Sequence, residues 1–505
     1  MWKNGELLAE AIDIICDMYN VNSLTIIANS NGGKASEVAM YEYDKHEKVK
    51  RVFALGTPYW GTFIADISQQ SWFNWLWSVT GLNDGSATST TYYCRDVIRP
   101  YFDNHPDNDP EKFYIIGGFG FSNGTTGIAP LMFISGSILY MQEGANDGVA
   151  SYKSTLRLGA NYLFEEGELA LDHVDIIYGQ NVWKYIAPIL RANKRESKYV
   201  LKKQIKKNNK VISDYQIVNS ENKYEFLELD RSSSEGKLFV FHESKKRLLS
   251  LKSLDNKLIP NKYPESYEKS NFENHISIYN VVSKQKKITL TANSKYVAYL
   301  HQENKVRMIY EHYPLSNRIQ IKFKNHNSDI ASTRVTGVIT RKTDLKGNSF
   351  SEETTIEEFT FNRDTSDFTL DISEFNEGVY SIFIFAVHDD FKRNIASGFT
   401  IGKLNSRSKD DDFYLGTIQD KIGFKLKARV INDYLNFKIL KRNKENNDNF
   451  YNVDIYNING KKVIHKARNI DDEIYKIRMV DLKAGVYIVQ VRNRKFLKSF
   501  KILKN

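Results

Sequence analysis

The spacing of apolar residues changes character along the chain. Between Glu6 and Tyr19, Leu7, Leu8, Ala11, Ile12, Ile15 and Met18 recur at three- and four-residue intervals, which predicts an opening helix with one buried face. Short β-rich apolar runs follow at Leu24-Thr25-Ile26-Ile27-Ala28, at Arg51-Val52-Phe53-Ala54-Leu55 and at Lys112-Phe113-Tyr114-Ile115-Ile116. The first leads through Gly32-Gly33 into a helical stretch that reaches about Asp44. Buried strands alternating with helices predict a parallel sheet covered on both faces.

From about residue 196 the helical periodicity fades. Alternating runs such as Lys237-Leu238-Phe239-Val240-Phe241 and Tyr380-Ser381-Ile382-Phe383-Ile384-Phe385, separated by Asn, Asp, Gly and Ser clusters, predict antiparallel sandwiches. The fold class is therefore multidomain: an α/β part over residues 1–195, then all-β sandwiches. A basic linker is expected at 196–214, sandwiches at 215–305 and, immunoglobulin- or fibronectin-like, at 306–405, a second linker at 406–429 and a last sandwich at 430–505. Asp371-Ile372-Ser373-Glu374-Phe375 leading to Gly378-Val379-Tyr380 is echoed by Val480-Asp481-Leu482-Lys483-Ala484-Gly485-Val486-Tyr487, which predicts the same sandwich corner in both places.

Composition narrows the class. A length of 505 residues is about three or four domains' worth of chain, and 41% hydrophobic with 26% charged residues describes folded globular material. The net charge of +10 is spread along the chain and is thickest at Lys202, Lys203, Lys206, Lys207 and Lys210, a solvated linker pattern. No basic face interleaved with aromatic platforms appears, so a nucleic-acid partner is not expected. Cys16 and Cys94 allow one disulfide without requiring it. The longest apolar stretch, Ile128 to Met141, is interrupted and falls short of the ~20 residues a spanning helix needs, so no transmembrane segment is expected. The first residues lack the basic and apolar regions of a signal peptide.

The candidate chemistry begins at Ile27-Ala28-Asn29-Ser30-Asn31-Gly32-Gly33, a serine between small residues after a predicted strand and before a predicted helix. A serine hydroxyl needs a rigid, exposed support and a histidine to take its proton, and a strand–turn–helix elbow supplies the support. Three further segments follow in order: Leu55-Gly56-Thr57-Pro58-Tyr59-Trp60-Gly61-Thr62 with Ala65-Asp66 behind it, Asn146-Asp147-Gly148-Val149-Ala150-Ser151, and Asp172-His173-Val174-Asp175. Together they resemble the secreted bacterial lipases of the α/β-hydrolase type. The resemblance implies Ser30 as nucleophile, His173 as general base and then acid, and Asp147 as the partner that orients it, acting on acyl esters or lipids through an acyl-enzyme. It implies the backbone N–H of Asn31 as an oxyanion donor. Asn29 departs from the histidine that usually precedes the serine, which bears on substrate range. Some of these lipases hold a structural calcium through an aspartate at the place of Asp175; no other cofactor is implied. Ser71-Trp72-Phe73-Asn74-Trp75-Leu76-Trp77 opens an insertion, 66–112, that reads equally as an apolar lid or as core.

This fold normally sets several strands ahead of the elbow, whereas only one helix is read there. The expectation is a chain lacking its N-terminal strands and signal peptide, with one oxyanion donor lost and activity weak or absent.

The last ~75 residues resemble the type A C-terminal sorting domain of the type IX secretion system of the Bacteroidetes, on Val453-Asp454-Ile455-Tyr456-Asn457, Asn459-Gly460-Lys461-Lys462-Val463, Asp481-Leu482 with Gly485-Val486-Tyr487-Ile488-Val489, and the ending Lys498 to Asn505. The customary Pro-Asn-Pro is absent. Ile455, Val463, Tyr487 and Val489 are expected inward, with a hairpin at Asn459-Gly460. The resemblance implies secretion to the cell surface or beyond, with the type IX machinery as partner. Three functions stay open: a secreted lipase or carboxylesterase, another acyl hydrolase such as a polyester depolymerase, and an inactive truncated surface-binding protein.

Overall fold

In the computed structural model of the chain, the described residues are 1–70, 84–191, 199–200, 210–220, 226–230, 233, 235–243, 250–253, 276–282, 287–291, 294–302, 306–314, 316–325, 330–364, 367–404, 424–426, 430–431, 434–439, 450–457, 461–469, 474–492 and 497–504. They form two units, Met1–Ser406 and Arg407–Asn505. The tryptophan run 71–77, most of both expected linkers and the Asn459-Gly460 hairpin lie outside the described residues.

The α/β expectation holds. Strands β1 (Leu24–Asn29), β2 (Val49–Leu55), β3 (Phe113–Ile116) and β4 (Asn161–Tyr162) run parallel in chain order, and β5 (Tyr199–Val200) adds antiparallel to β4. Successive strand residues face opposite sides. Val52, Ala54, Phe113 and Ile115 therefore join one core with Ala9, Ile12 and Cys16 of helix α1 (Trp2–Tyr19). Phe53, Leu55, Tyr114 and Ile116 join the other.

The buried face of α1 differs from the expected one. Gly5, Ala9, Ile12 and Cys16 are buried, whereas Leu7, Ile15 and Met18 are exposed. α1 is apolar around much of its circumference, and its narrow small-residue face makes the close contact: a Cβ on Gly5 would sit 3.0 Å from the Ala35 carbonyl oxygen and overlap Val38. Periodicity counts apolar residues; the approach distance selected the small ones. Cys16 and Cys94 are both buried and unbridged.

Helix α2 (Asn31–Glu37) leaves the end of β1, α3 (Phe63–Ser68) follows β2, α4 (Ala129–Glu143) contains most of the long apolar run, and α5 (Gly179–Arg191) covers the second sheet face with Val182, Ile186 and Ile189. Among the described residues no helix is long and apolar enough to cross a membrane.

The sandwiches of the first unit are antiparallel. One pairs the sheet Ile276–Val282, Glu235–His242, Tyr296–Gln302, Tyr215–Asn219 with a three-stranded sheet; the other is built on Arg307–Tyr313 and Gly378–His388. Lys210–Ser213, at the end of the stretch read as linker, is a strand of the second sandwich, paired with Arg307–Tyr313. The sandwiches share a core with the α/β part: Phe63, Ile67, Leu131, Ile134 and Ile138 of α3 and α4 pack with Tyr215, Phe239, Ile278, Tyr299 and Phe383. Each such side chain contributes about 1.5–3 kcal/mol by burial, so α3 and α4 hold the sandwiches as part of one body.

In the second unit, Phe450–Asn457, Lys462–Asn469, Gly485–Arg492 and Leu497–Lys504 make the main antiparallel ladder. Ile455, Tyr487 and Val489 are in its core and Val463 packs against it. The predicted corner recurs in both units: Tyr380 donates its hydroxyl to the Asn376 carbonyl at 2.6 Å, and Tyr487 to the Lys483 carbonyl at 2.8 Å. Each is the tyrosine corner that bridges a turn into a late sandwich strand.

Candidate active site

Ser30 ends β1 and caps α2, with φ 51° and ψ −129°. That left-handed backbone is costly for a residue with a Cβ and persists where its surroundings impose it. Here the Ser30 N–H donates to the Leu55 carbonyl at 2.9 Å, continuing the β1–β2 ladder, while the Ser30 carbonyl accepts from Gly33 at 3.2 Å and starts the helix. The small residues on either side are needed: a Cβ on Gly32 would lie 3.3 Å from the Ala28 Cβ. Asn31 is the first residue of α2, a position whose N–H has no acceptor within the helix.

The next residue on β2 connects this elbow to the other two candidates. Gly56 has φ +56°, and a Cβ there would lie 2.8 Å from Asp147 Oδ2 and 3.0 Å from His173 Nδ1. Ser30 thus bonds to the residue before Gly56, and Gly56 itself lies against the Asp147–His173 pair. His173 Nδ1 stands 2.8 Å from Asp147 Oδ2, and the His173 N–H donates to the Asp147 carbonyl, also at 2.8 Å. Asp147 is fully buried; its Oδ1 accepts from the N–H groups of Val149, at 3.0 Å, and Ala150, at 2.7 Å. Asn146 fastens the turn, donating from Nδ2 to the carbonyls of Gly136, at 2.9 Å, and Gly144, at 3.0 Å.

Burial by itself pushes the His173 imidazole down, but the charge and hydrogen bond of Asp147 outweigh it, with Asp172 adding to them, and its pKa is raised above the ordinary value. His173 keeps 11% of its side chain exposed where Asp147 keeps none, so the pair presents an imidazole edge in front of a buried carboxylate. Such an arrangement is able to hold one imidazole tautomer, with Nε2 directed away from the acid.

Buried supports surround α2, and of these only Asp66 belongs to a segment that the resemblance rests on. Lys34, fully buried, donates from Nζ to the Thr88 carbonyl at 2.8 Å and to Ser89 Oγ at 3.0 Å, and Ser89 Oγ donates to Asn31 Oδ1 at 2.6 Å. Glu37 is buried between Arg99 and Arg157, whose Nε lies 2.9 Å from it. Asp66 accepts from the Thr91 N–H at 2.7 Å and hydroxyl at 2.5 Å, tying α3 to the following insertion. These partners lie tens of residues apart in sequence, which is why spacing did not reveal them.

The carboxylate oxygens of Asp175 accept from the Thr125 N–H at 2.8 Å and hydroxyl at 2.6 Å. Among the described residues no group of three or more His, Cys, Asp or Glu side chains is placed to hold a metal. Calcium takes six to eight oxygens.

Comparison with known proteins follows the two units. Residues 431–505 match the secretion system C-terminal sorting domain. Among solved structures, the Bacillus licheniformis lipase BlEst2 in propeptide form superposes with a TM-score of 0.51 at 18% identity, over 79% of this chain and 85% of that one. The mature form of the same lipase has a TM-score of 0.33 at 29% identity, over 38% of this chain and 74% of that one. No curated protein matches the chain. The protein thus joins a lipase-like α/β fold and β-rich modules to a type IX sorting domain that directs it to the cell surface or beyond.

Proposed function

We propose that the protein is a secreted serine acyl-ester hydrolase. Ser30 Oγ attacks the ester carbonyl as His173 Nε2 takes its proton; His173 then returns the proton to the departing alcohol, leaving an acyl-Ser30. A water, deprotonated by His173, cleaves that ester and restores Ser30 with release of the acid. Asp147 holds the imidazole tautomer and compensates the imidazolium, and the N–H of Asn31 stabilises the oxyanion. The steps draw on the chain's own side chains and backbone. The observation that supports this reading is the 2.8 Å Asp147–His173 contact against Gly56, the residue after the Leu55 carbonyl to which the positive-φ Ser30 bonds.

The test is labelling by a fluorophosphonate together with p-nitrophenyl butyrate hydrolysis. Labelling and turnover that both disappear in Ser30→Ala support the reading. Turnover that survives Ser30→Ala, or a wild-type protein that neither labels nor turns over, overturns it, and the latter favours a surface-binding protein.

A further inference from the structure

The seam between α4 and the first sandwich, with Phe121 and Ser122 beside it, forms an open, mainly apolar groove of about 340 Å³, at the lower end of the ~300–1,000 Å³ of ligand sites. Its floor is ordered by strand register. Lys237 stands opposite Asn280, and two residues further along the strand Phe239 stands opposite Ile278. Side chains two apart share a face, so a polar step is followed, about 7 Å along, by an apolar one. Lys237 and Asn280 are exposed, whereas Phe239 and Ile278 are buried. Phe133 and Met141 of α4 form the facing wall.

We propose that this groove binds one long-chain fatty carboxylate, its headgroup on Lys237 and Asn280 and its chain over Phe239 and Ile278 against Phe133 and Met141. Charge complementarity selects that occupant. Lys237 has no carboxylate partner among the described residues, and it is the one charged side chain in a lining otherwise made of aromatic and aliphatic groups, Asn280 and the hydroxyls of Ser122, Ser137 and Tyr140. An ammonium and an amide at one end match a carboxylate, and an aromatic and aliphatic wall matches a methylene chain. A neutral lipid would leave the ammonium to solvent.

The site is separate from Ser30 and belongs jointly to α4 and the sandwich, yet it connects to the dyad. α4 carries Gly136, whose carbonyl accepts from Asn146 Nδ2, and Asn146 precedes Asp147. A fatty carboxylate is also what hydrolysis of a long-chain ester would release, but binding in the groove does not depend on that reaction.

Titration of the full chain with laurate, followed by calorimetry and by displacement of parinaric acid, tests the proposal, and repeating it in Ser30→Ala separates binding from catalysis. Saturable one-to-one laurate binding is expected in both proteins. Lys237→Gln, an exposed change, should weaken laurate by about tenfold while leaving dodecanol unchanged. Ser137→Phe, which fills the groove from α4, should abolish binding of both with the fold retained by circular dichroism; should that variant not fold, Met141→Trp serves the same purpose. Absence of laurate binding to the wild type overturns the proposal. So does Lys237→Gln with unchanged laurate affinity, or binding only to phosphatidylglycerol vesicles, which would mark a membrane-facing surface instead.

Discussion

His173 is joined to Asp147 twice, by its ring nitrogen to the carboxylate and by its backbone N–H to the carbonyl, each at 2.8 Å. The double attachment fixes both the position of the imidazole and its rotation. It also gives the dyad two independent handles for experiment.

Asp147→Asn retains the shape of the turn but favours the wrong imidazole tautomer. The expected outcome is a fall of about 10⁴ in kcat with an unchanged circular dichroism spectrum. The acid limb of kcat/KM should move too. A general base works neutral, so the rate rises as pH passes through the pKa of His173, which stands above the ordinary ~6.5. Without Asp147, burial is left as the main influence, and the limb should shift to lower pH. The stability contributed by the protonated imidazole is full below about 6.5 and is lost as pH rises through the raised folded value. An acid limb at the same pH in both proteins would rule out Asp147 as its partner.

Gly56→Ala tests the spacing. A methyl group at φ +56° would lie 2.8 Å from Asp147 Oδ2 and 3.0 Å from His173 Nδ1, so backbone strain and displacement of the dyad coincide. The expected cost is about 1–3 kcal/mol of stability and about a hundredfold in kcat, read by thermal unfolding and steady-state kinetics.

Asp66 sets a pH dependence of its own. Burial outweighs its bonds to Thr91 and pushes its carboxyl up to about 8. The folded state thus holds a proton that the unfolded chain releases near ~3.9, and this contribution is full below that value and declines as pH rises to about 8. Asp66→Asn keeps partners for both Thr91 groups and cannot ionise. Its Tm should fall less than that of the wild type between pH 5 and pH 9; parallel curves would show that Asp66 ionises without cost.

Ser89→Ala removes the hydroxyl that stands between Lys34 Nζ and Asn31 Oδ1. Of the two hydrogen bonds lost, the one to Asn31, of about 0.5–1.5 kcal/mol, should lower kcat roughly twofold to tenfold, far less than loss of Ser30, with KM little changed. A change in KM alone would place Ser89 in substrate binding and not in support of Asn31.

Local sequence determined a good part of this molecule. The apolar runs at Leu24–Ala28 and Arg51–Leu55 became β1 and β2 because an apolar stretch of that length is satisfied in the middle of a sheet. Small residues around Ser30 made an elbow because only they permit strand and helix to approach so closely. The repeated Gly-Val-Tyr pattern placed Tyr380 and Tyr487 at equivalent corners, since that bond reaches just four residues back. Each of these outcomes depends on neighbours in sequence.

Tertiary packing decided the rest. Leu7 belongs to the predicted apolar face and Ala9 does not, yet Leu7 is exposed and Ala9 is buried on the side of Gly5, which Val38 and Ala35 approach. Lys210–Ser213 reads as a charged linker until Arg307–Tyr313 offers it a ladder. The Lys34–Ser89–Asn31 chain and the groove at Lys237 join segments far apart in sequence. Residue types set what each group is able to bond; only the folded backbone brings into reach the groups it does bond, because contact depends on distance in space and not along the chain.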